Sequence, residues 1–189
     1  MSLRAVAASG VAPQPWRNGG GSTRELFAWP GGPDWQLRVS LADIDADGPF
    51  SAFAGVRRWF AVVEGAGVVL SLPGGDRRVD ATSEPLCFDG GDAPGCRLVD
   101  GPTRDLNLML RGGLGGRLQR AVSGVDWPDA WPWRACFVAR AARWFGAGGQ
   151  TRELEAGSLL SGLPPGACRV EGAEPGAPMF WLGAEAPPR

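Results

Sequence analysis

Apolar and polar positions alternate most cleanly at Trp35-Gln36-Leu37-Arg38-Val39-Ser40-Leu41, which puts Trp35, Leu37, Val39 and Leu41 on one face of a strand. Trp59–Val63 is a continuous apolar run, the pattern of a strand covered on both sides. Glu64-Gly65-Ala66-Gly67 turns the chain into a strand at Val68–Leu72, and Pro73-Gly74-Gly75-Asp76 closes a hairpin toward Arg77–Asp80. In a strand at Leu106–Leu110, residues Asp105, Asn107 and Met109 fall on one face and Leu106, Leu108 and Leu110 on the other. Polar residues opposite a leucine row predict a strand that lines a wet cavity or opens to solvent. Further strands are predicted at Leu86–Phe88, Cys96–Val99, Ala135–Ala139, Gly157–Leu160, Cys168–Val170 and Met179–Leu182.

Helical periodicity is nearly absent; only Leu114–Val122 offers a weak apolar stripe. The 30 glycines and 17 prolines cut the chain into short pieces. Short strands punctuated by such turns predict an all-β sandwich or barrel. Arg111–Trp133, rich in Gly, Trp and Pro, reads as the connection between two halves, and Ala184–Arg189 as a frayed end. Thr23-Arg24-Glu25-Leu26 recurs as Thr151-Arg152-Glu153-Leu154, a weak hint of duplication.

Composition narrows the chemistry. At 189 residues, 44% hydrophobic and 21% charged, the chain can bury a substantial core. No window approaches the roughly 20 apolar residues of a bilayer span, and the N-terminus lacks a secretory layout, so a cytoplasmic protein without membrane contact is expected. All 19 basic residues are arginine, the net charge is -1 and no basic run exists, which argues against a nucleic-acid partner. Histidine and tyrosine are absent. That removes His-based acid–base catalysis, Ser-His-Asp triads and nearly every catalytic zinc or iron site. Chemistry is left to Asp, Glu, Arg, Cys, Ser and Thr. Cys87, Cys96, Cys136 and Cys168 form no C-x-x-C pair and read as free, buried small hydrophobes. No metal and no cofactor is expected.

Four segments carry candidate chemistry. Pro15-Trp16-Arg17-Asn18-Gly19-Gly20-Gly21-Ser22-Thr23-Arg24-Glu25-Leu26 sets an indole beside an amide, three glycines, two hydroxyls and an Arg-Glu pair. The glycines let backbone approach a neighbour closely, making a poor core strand and a good site wall. Alternation puts Ser22 and Arg24 on one face and Thr23 and Glu25 on the other, so not all of them face one ligand. Asp43-Ile44-Asp45-Ala46-Asp47 has the alternating acids of a calcium loop but Ala54 at its twelfth position, so Asp47-Gly48-Pro49 reads as a turn that sends Phe50 and Phe53 inward. In Gly55-Val56-Arg57-Arg58-Trp59-Phe60, one arginine ahead of a buried strand can point into a barrel lumen, where it must meet an anion or a carboxylate. Glu64 ends that strand. In Asp100-Gly101-Pro102-Thr103-Arg104-Asp105-Leu106-Asn107-Leu108-Met109-Leu110, Asp105 can orient the arginine or act as a weak acid–base group.

In this order, the blocks resemble the HutD/Ves family of bacterial proteins. They read P-W-R-N-G-G-G-S-T-R-E-L, W-Q-L-R-V-S-L-A-D-I-D-A-D-G-P-F-S-A-F-A-G-V-R-R, V-V-E-G-A-G-V-V-L and D-G-P-T-R-D-L-N-L-M-L-R, and cover roughly Trp16–Arg111. The resemblance implies an all-β, cupin-like fold with two β-barrel halves in one chain (a bicupin), without the histidine-held metal of many cupins. It also implies a link to histidine utilisation, with binding of a pathway intermediate such as formylglutamate or urocanate to restrain flux, and no established enzymatic activity. It places the family's arginine at Arg58 rather than Arg57, with Ala54 where proline is usual and Arg17 where lysine is frequent.

The expectation is thus a first barrel over residues 1–111 with a ligand pocket, and a second half with its linker over 112–189, packed as one unit with the first. The expected function is metal-independent binding or regulation through a small anionic metabolite. Arg58 grips a carboxylate, Asn18, Thr23, Arg24 and Asn107 hydrogen-bond it, and Trp16 and Phe50 wall the pocket. The alternative is a metal-free isomerase or lyase using Glu25, Glu64 or Asp105. A third reading is an interaction module built on exposed tryptophans at Trp127–Trp133. A homodimer is compatible with each.

Overall fold

In the computed structural model, which describes residues 2–185, strands dominate and the helical content is three single 3-10 turns. In chain order the strands are β1 (Arg4–Ala7), β2 (Gln14–Pro15), β3 (Gly21–Trp29), β4 (Leu37–Ile44), β5 (Gly48–Pro49) and β6 (Val56–Glu64). Next come β7 (Val68–Leu72), β8 (Gly75–Val79), β9 (Leu86–Asp89), β10 (Gly95–Leu98), β11 (Thr103–Arg111) and β12 (Gly116–Arg120). The last six are β13 (Trp133–Val138), β14 (Ala142–Phe145), β15 (Thr151–Leu154), β16 (Ser158–Ser161), β17 (Arg169–Gly172) and β18 (Met179–Ala184).

The chain divides into two units. The unit Ala12–Leu114 holds a six-stranded sheet in the order β2-β3-β4-β11-β6-β9 and a four-stranded sheet β5-β10-β7-β8. Every neighbouring pair is antiparallel. Ile44, Phe60 and Val62 from the larger sheet and Val68, Leu70, Val79 and Cys96 from the smaller share one buried cluster. Each such side chain contributes roughly 1.5–3 kcal/mol of burial free energy. The turn between β6 and β7 requires glycine: Gly67 has φ +97°, and a Cβ there would sit 2.4 Å from the Val79 carbonyl oxygen.

The other unit joins the residues up to Val11 to those from Gly115 onward. It holds the sheets β1-β16-β13-β18-β12 and β15-β14-β17. Its core gathers Cys136, Val138, Leu160 and Trp181 from the first sheet with Trp144, Leu154 and Val170 from the second. Arg134 lies in this interior, its Nη1 donating to the carbonyls of Pro164 (2.6 Å) and Gly166 (2.8 Å) and its guanidinium 4.6 Å from the Trp127 ring centroid.

Several expectations change. The units are not residues 1–111 and 112–189: β1 pairs with β16, so the first residues belong with the later part of the chain. Among the described residues each unit is a pair of open sheets, and none closes on itself as a barrel would. Leu114–Val122 forms no helix; Gly116–Arg120 is an edge strand on β18, with Leu118 buried by alternation. The segment Pro15–Leu26, expected to make a poor core strand, contributes Gly21–Leu26 to the nine-residue strand β3 of the large sheet. The two Thr-Arg-Glu-Leu segments are not equivalent, because β3 is an inner strand of six and β15 the edge of three. Trp127 and Trp133 are buried, Trp127 stacking on Trp181 at 4.9 Å, and Trp131 is half-buried against the same core, so none of the three is exposed. The four cysteines are free, but Cys87 is exposed rather than buried. The frayed end expected at Ala184–Arg189 falls mostly outside the described residues; Ala184 itself is buried in β18.

Candidate functional site

The site grows from the three central strands of the large sheet. The registers of β4 and β6 against β11 align Arg38 and Arg58 on either side of Met109, and Ser40 and Phe60 on either side of Asn107. Alternation sends Arg38, Ser40 and Ala42 to one face and the buried Leu37, Val39 and Leu41 to the other. Arg58, Asn107 and Met109 join the first set, so this face is the floor of a cavity of about 610 Å³. With strands about 4.8 Å apart, the Arg38 and Arg58 backbones stand roughly 10 Å from each other.

The glycine-rich segment makes one wall. Trp16–Gly19 is a turn, with the Gly19 amide donating to the Trp16 carbonyl at 3.0 Å and Gly19 at φ +72°. The chain then enters β3 at Gly21, where a Cβ would lie 2.1 Å from the Asp43 carbonyl oxygen and 3.1 Å from the Trp16 ring. Only glycine lets the indole lie down here. Trp16 Nε1 donates to Thr23 Oγ1 at 2.8 Å, and the Gly20 amide donates to Asn18 Oδ1 at 3.1 Å. Phe50 meets Trp16 edge to face at 6.3 Å and, with Pro49, Ser51 and Phe53, continues the lining.

Arg58 is the electrostatic centre. It is only 7% exposed, and its guanidinium lies 4.4 Å from the Phe50 centroid and 5.6 Å from that of Phe88. Its Nε donates to Asn107 Oδ1 at 2.7 Å. An arginine can only donate, so the Asn107 amide is fixed with its oxygen toward Arg58 and its NH2 toward Asp105, to whose Oδ2 it donates. Asp105 is fully buried, and its Oδ1 has no partner. Burial pushes the Asp105 carboxyl up to about 7, against the pull of Arg58 and the Asn107 hydrogen bond. Burial also lowers the Arg58 pKa, opposed by Asp105; a guanidinium nevertheless keeps its charge. Among the described residues no carboxylate forms an ion pair with Arg58 within 4.0 Å. Arg38 Nε stands 2.9 Å from Glu25 Oε2 but out of line for a hydrogen bond. With Arg17, three arginines line the cavity, and no Asp or Glu does.

The structure brings together Trp16, Asn18, Thr23, Phe50, Arg58 and Asn107 around this cavity. Arg57 is exposed, which resolves the choice between neighbouring arginines in favour of Arg58. Arg24 does not join them. It points to the opposite side of β3 and pairs with Asp43, which also receives Arg104 Nε at 2.5 Å. Burial works against ionisation of Asp43, but the hydrogen bonds from Arg104 and Arg24 hold its carboxyl below the usual range. Glu64 pairs with Arg104 at 3.3 Å on that same side, Glu25 faces Arg38 at 2.9 Å and is not among the cavity's lining residues, and Asp105 is joined to Asn107. The three acids of the enzymatic alternative therefore do not converge in the cavity. Asp47 is a structural acceptor for the Leu98 amide at 2.8 Å. Arg38 and Ser40 were not among the expected site residues, although the polar half of the Trp35–Leu41 alternation marks both; Met109 lies on the face of β11 that alternation had marked, and Gln14 carries no such signal. The histidine-held metal of many cupins does not fit here: three guanidinium groups and no His, Cys or carboxylate donor line the cavity.

The chain is similar to known proteins in sequence and in fold. The HutD family profile matches residues 8–130. An uncharacterised 21.2 kDa protein in the hutC 3' region of Pseudomonas putida is 36% identical over 111 residues, 57% of each chain. Protein Ves of Citrobacter koseri is 36% identical over 98 residues, 51% of each chain. The match thus spans little more than half the length of these curated relatives. The structure of HutD from Pseudomonas fluorescens SBW25 superposes with a TM-score of 0.84 at 27% identity, covering 99% of this chain and 100% of that one. A mutant of Bacillus subtilis oxalate decarboxylase OxdC aligns over 96% of this chain and 76% of its own, with a TM-score of 0.62 at 11% identity, which marks the fold alone as cupin-like. The family match and the full-length likeness to HutD together make this chain a member of the HutD family.

Proposed function

We propose that this protein is a metal-independent binding protein of HutD type that holds a small carboxylate and acts through it as a regulator rather than a catalyst. The observation that carries this reading is a cavity lined by Arg17, Arg38 and Arg58 with no acidic side chain among them. Cationic walls beside aromatic ones favour an anion with an apolar body. Arg58 grips a carboxylate, Asn18 and Thr23 hydrogen-bond the remainder, and Trp16 and Phe50 clamp it. The place of the Pseudomonas putida relative beside hutC supports a ligand from histidine catabolism, formylglutamate or urocanate. Arginines roughly 10 Å apart across Met109 suit a ligand charged at both ends, which favours formylglutamate over the monoanionic urocanate. On the same reading each pair of open sheets is one half of a bicupin.

Calorimetric titration of the full chain with formylglutamate and with urocanate tests the proposal. Arg58→Ala removes a charged hydrogen-bond donor worth about 1.5–3 kcal/mol, so affinity falls about 10- to 100-fold. Undiminished binding in that variant overturns the assigned role.

A further inference from the structure

Behind the anion cavity lies a group that the binding reading leaves unused. Asp105 is on β11, between Ala42 of β4 and Val62 of β6, with no exposed surface. One carboxyl oxygen takes the Asn107 amide and the other meets no donor. Asn107 in turn takes Arg58 Nε, so a single amide connects the buried acid to the guanidinium that faces the cavity. Among the described residues no carboxylate pairs with Arg58 within 4.0 Å, and Asp105, reached through Asn107, is the acid that acts on its charge.

We propose that Asp105 is a proton acceptor coupled to ligand capture: when an anion settles on Arg58, Asp105 takes up a proton on its unpartnered Oδ1, and the site stays neutral. This rests on the reading of the cavity as an anion site. The physical logic is competition for one cation. In the free protein, Arg58 holds Asp105 toward its ionised form. A bound carboxylate takes over that role and adds its own repulsion, so the buried acid becomes harder to ionise.

The other charged groups around Asp105 do not replace it. Asp43 on β4 repels it and is already committed to Arg24 and Arg104. Cys96 on β10 is pushed by burial to about 12 and stays a neutral thiol. Arg38 on β4 acts on Arg58 as a like charge and faces Glu25. The proton has one place to go.

Two measurements test the coupling. Formylglutamate is titrated into the full chain from pH 6 to 8.5 in buffers of different ionisation enthalpy. The expected result is proton uptake approaching one per anion at the alkaline end. Affinity is flat at low pH and falls by up to tenfold per pH unit above about 7, where free Asp105 ionises. In Asp105→Asn the uptake and the pH slope vanish; uptake that persists there overturns the proposal. The second measurement needs no ligand and no folded Asp105 variant. Carbon-13 NMR of the aspartate carboxyls follows Asp105 in the parent chain and in Arg58→Met. Loss of the arginine must move its titration upward, and an unmoved titration overturns the coupling. If formylglutamate fails to bind, the choice of ligand falls, while this NMR comparison still decides whether Asp105 and Arg58 share a charge.

Discussion

Replacing Asp105 by asparagine should change how stability depends on pH, by an amount the structure sets. The side chains are nearly isosteric, and the Asn107 hydrogen bond can be kept by the new amide oxygen. In the folded chain the carboxyl titrates at about 7 instead of the ordinary 3.8. At about 1.4 kcal/mol per factor of ten, ionising it inside the protein costs about 4 kcal/mol more than in the unfolded chain. The folded form holds the proton more tightly, so the contribution of Asp105 is fully present below about pH 4 and is lost as pH rises to about 7. Above that it is constant. Urea unfolding of parent and Asp105→Asn at intervals from pH 4 to 8 isolates the effect, because every other acid cancels in the difference. The parent should lose about 4 kcal/mol relative to the variant across that window, whatever fixed offset arises from leaving Arg58 without its acid. Parallel profiles would refute the reasoning, as would a difference of opposite sign, which would mean that ionised Asp105 stabilises the fold.

Two further substitutions separate the cavity from its surroundings. Arg24→Gln breaks a part-exposed ion pair on the far side of β3, so stability should change by no more than about 1 kcal/mol and formylglutamate affinity should stay within about twofold; a larger loss of affinity by calorimetry would return Arg24 to the site. Gly21→Ala drives a methyl into the Asp43 carbonyl and the Trp16 ring, and urea unfolding should show a loss of about 1–3 kcal/mol with a changed tryptophan emission. Coincident unfolding curves would contradict the close approach at Gly21.

Legibility in the sequence followed how local the determining interactions are. Val68–Leu72 was readable to the residue because glycines bracket an apolar run. The two-faced character of β11 was readable because alternation needs no knowledge of the partner strands. β3 was hidden: its opening glycines resemble a loop, and it is a strand because β4 pairs with it and Trp16 requires bare backbone at Gly21. The alternation within Thr23-Arg24 already divided the two residues between faces, yet which face meets a cavity is decided by the four-stranded sheet and the Phe50 loop. Arg38 shows the same limit, since its strand was recognised and its polar face was not connected to Arg58. The isolation of Asp105 lies furthest from the sequence, because it follows from tertiary packing on both sides of one residue.

The pairing of β1 with β16 bears on how the chain matures. Arg4–Ala7 is synthesised well before its partners Ser158–Ser161, which come more than 150 residues later. All of Ala12–Leu114 can close its own ladders in that interval, since its strands pair among themselves. Arg4–Ala7 meanwhile waits without its partner strand, and β16, once made, has an open edge until that segment returns. Closing so long a loop is slow, although the entropy it costs grows only logarithmically with length. Cutting the chain between the nominal halves would therefore strip the later unit of its first strand and leave that edge to pair with other molecules.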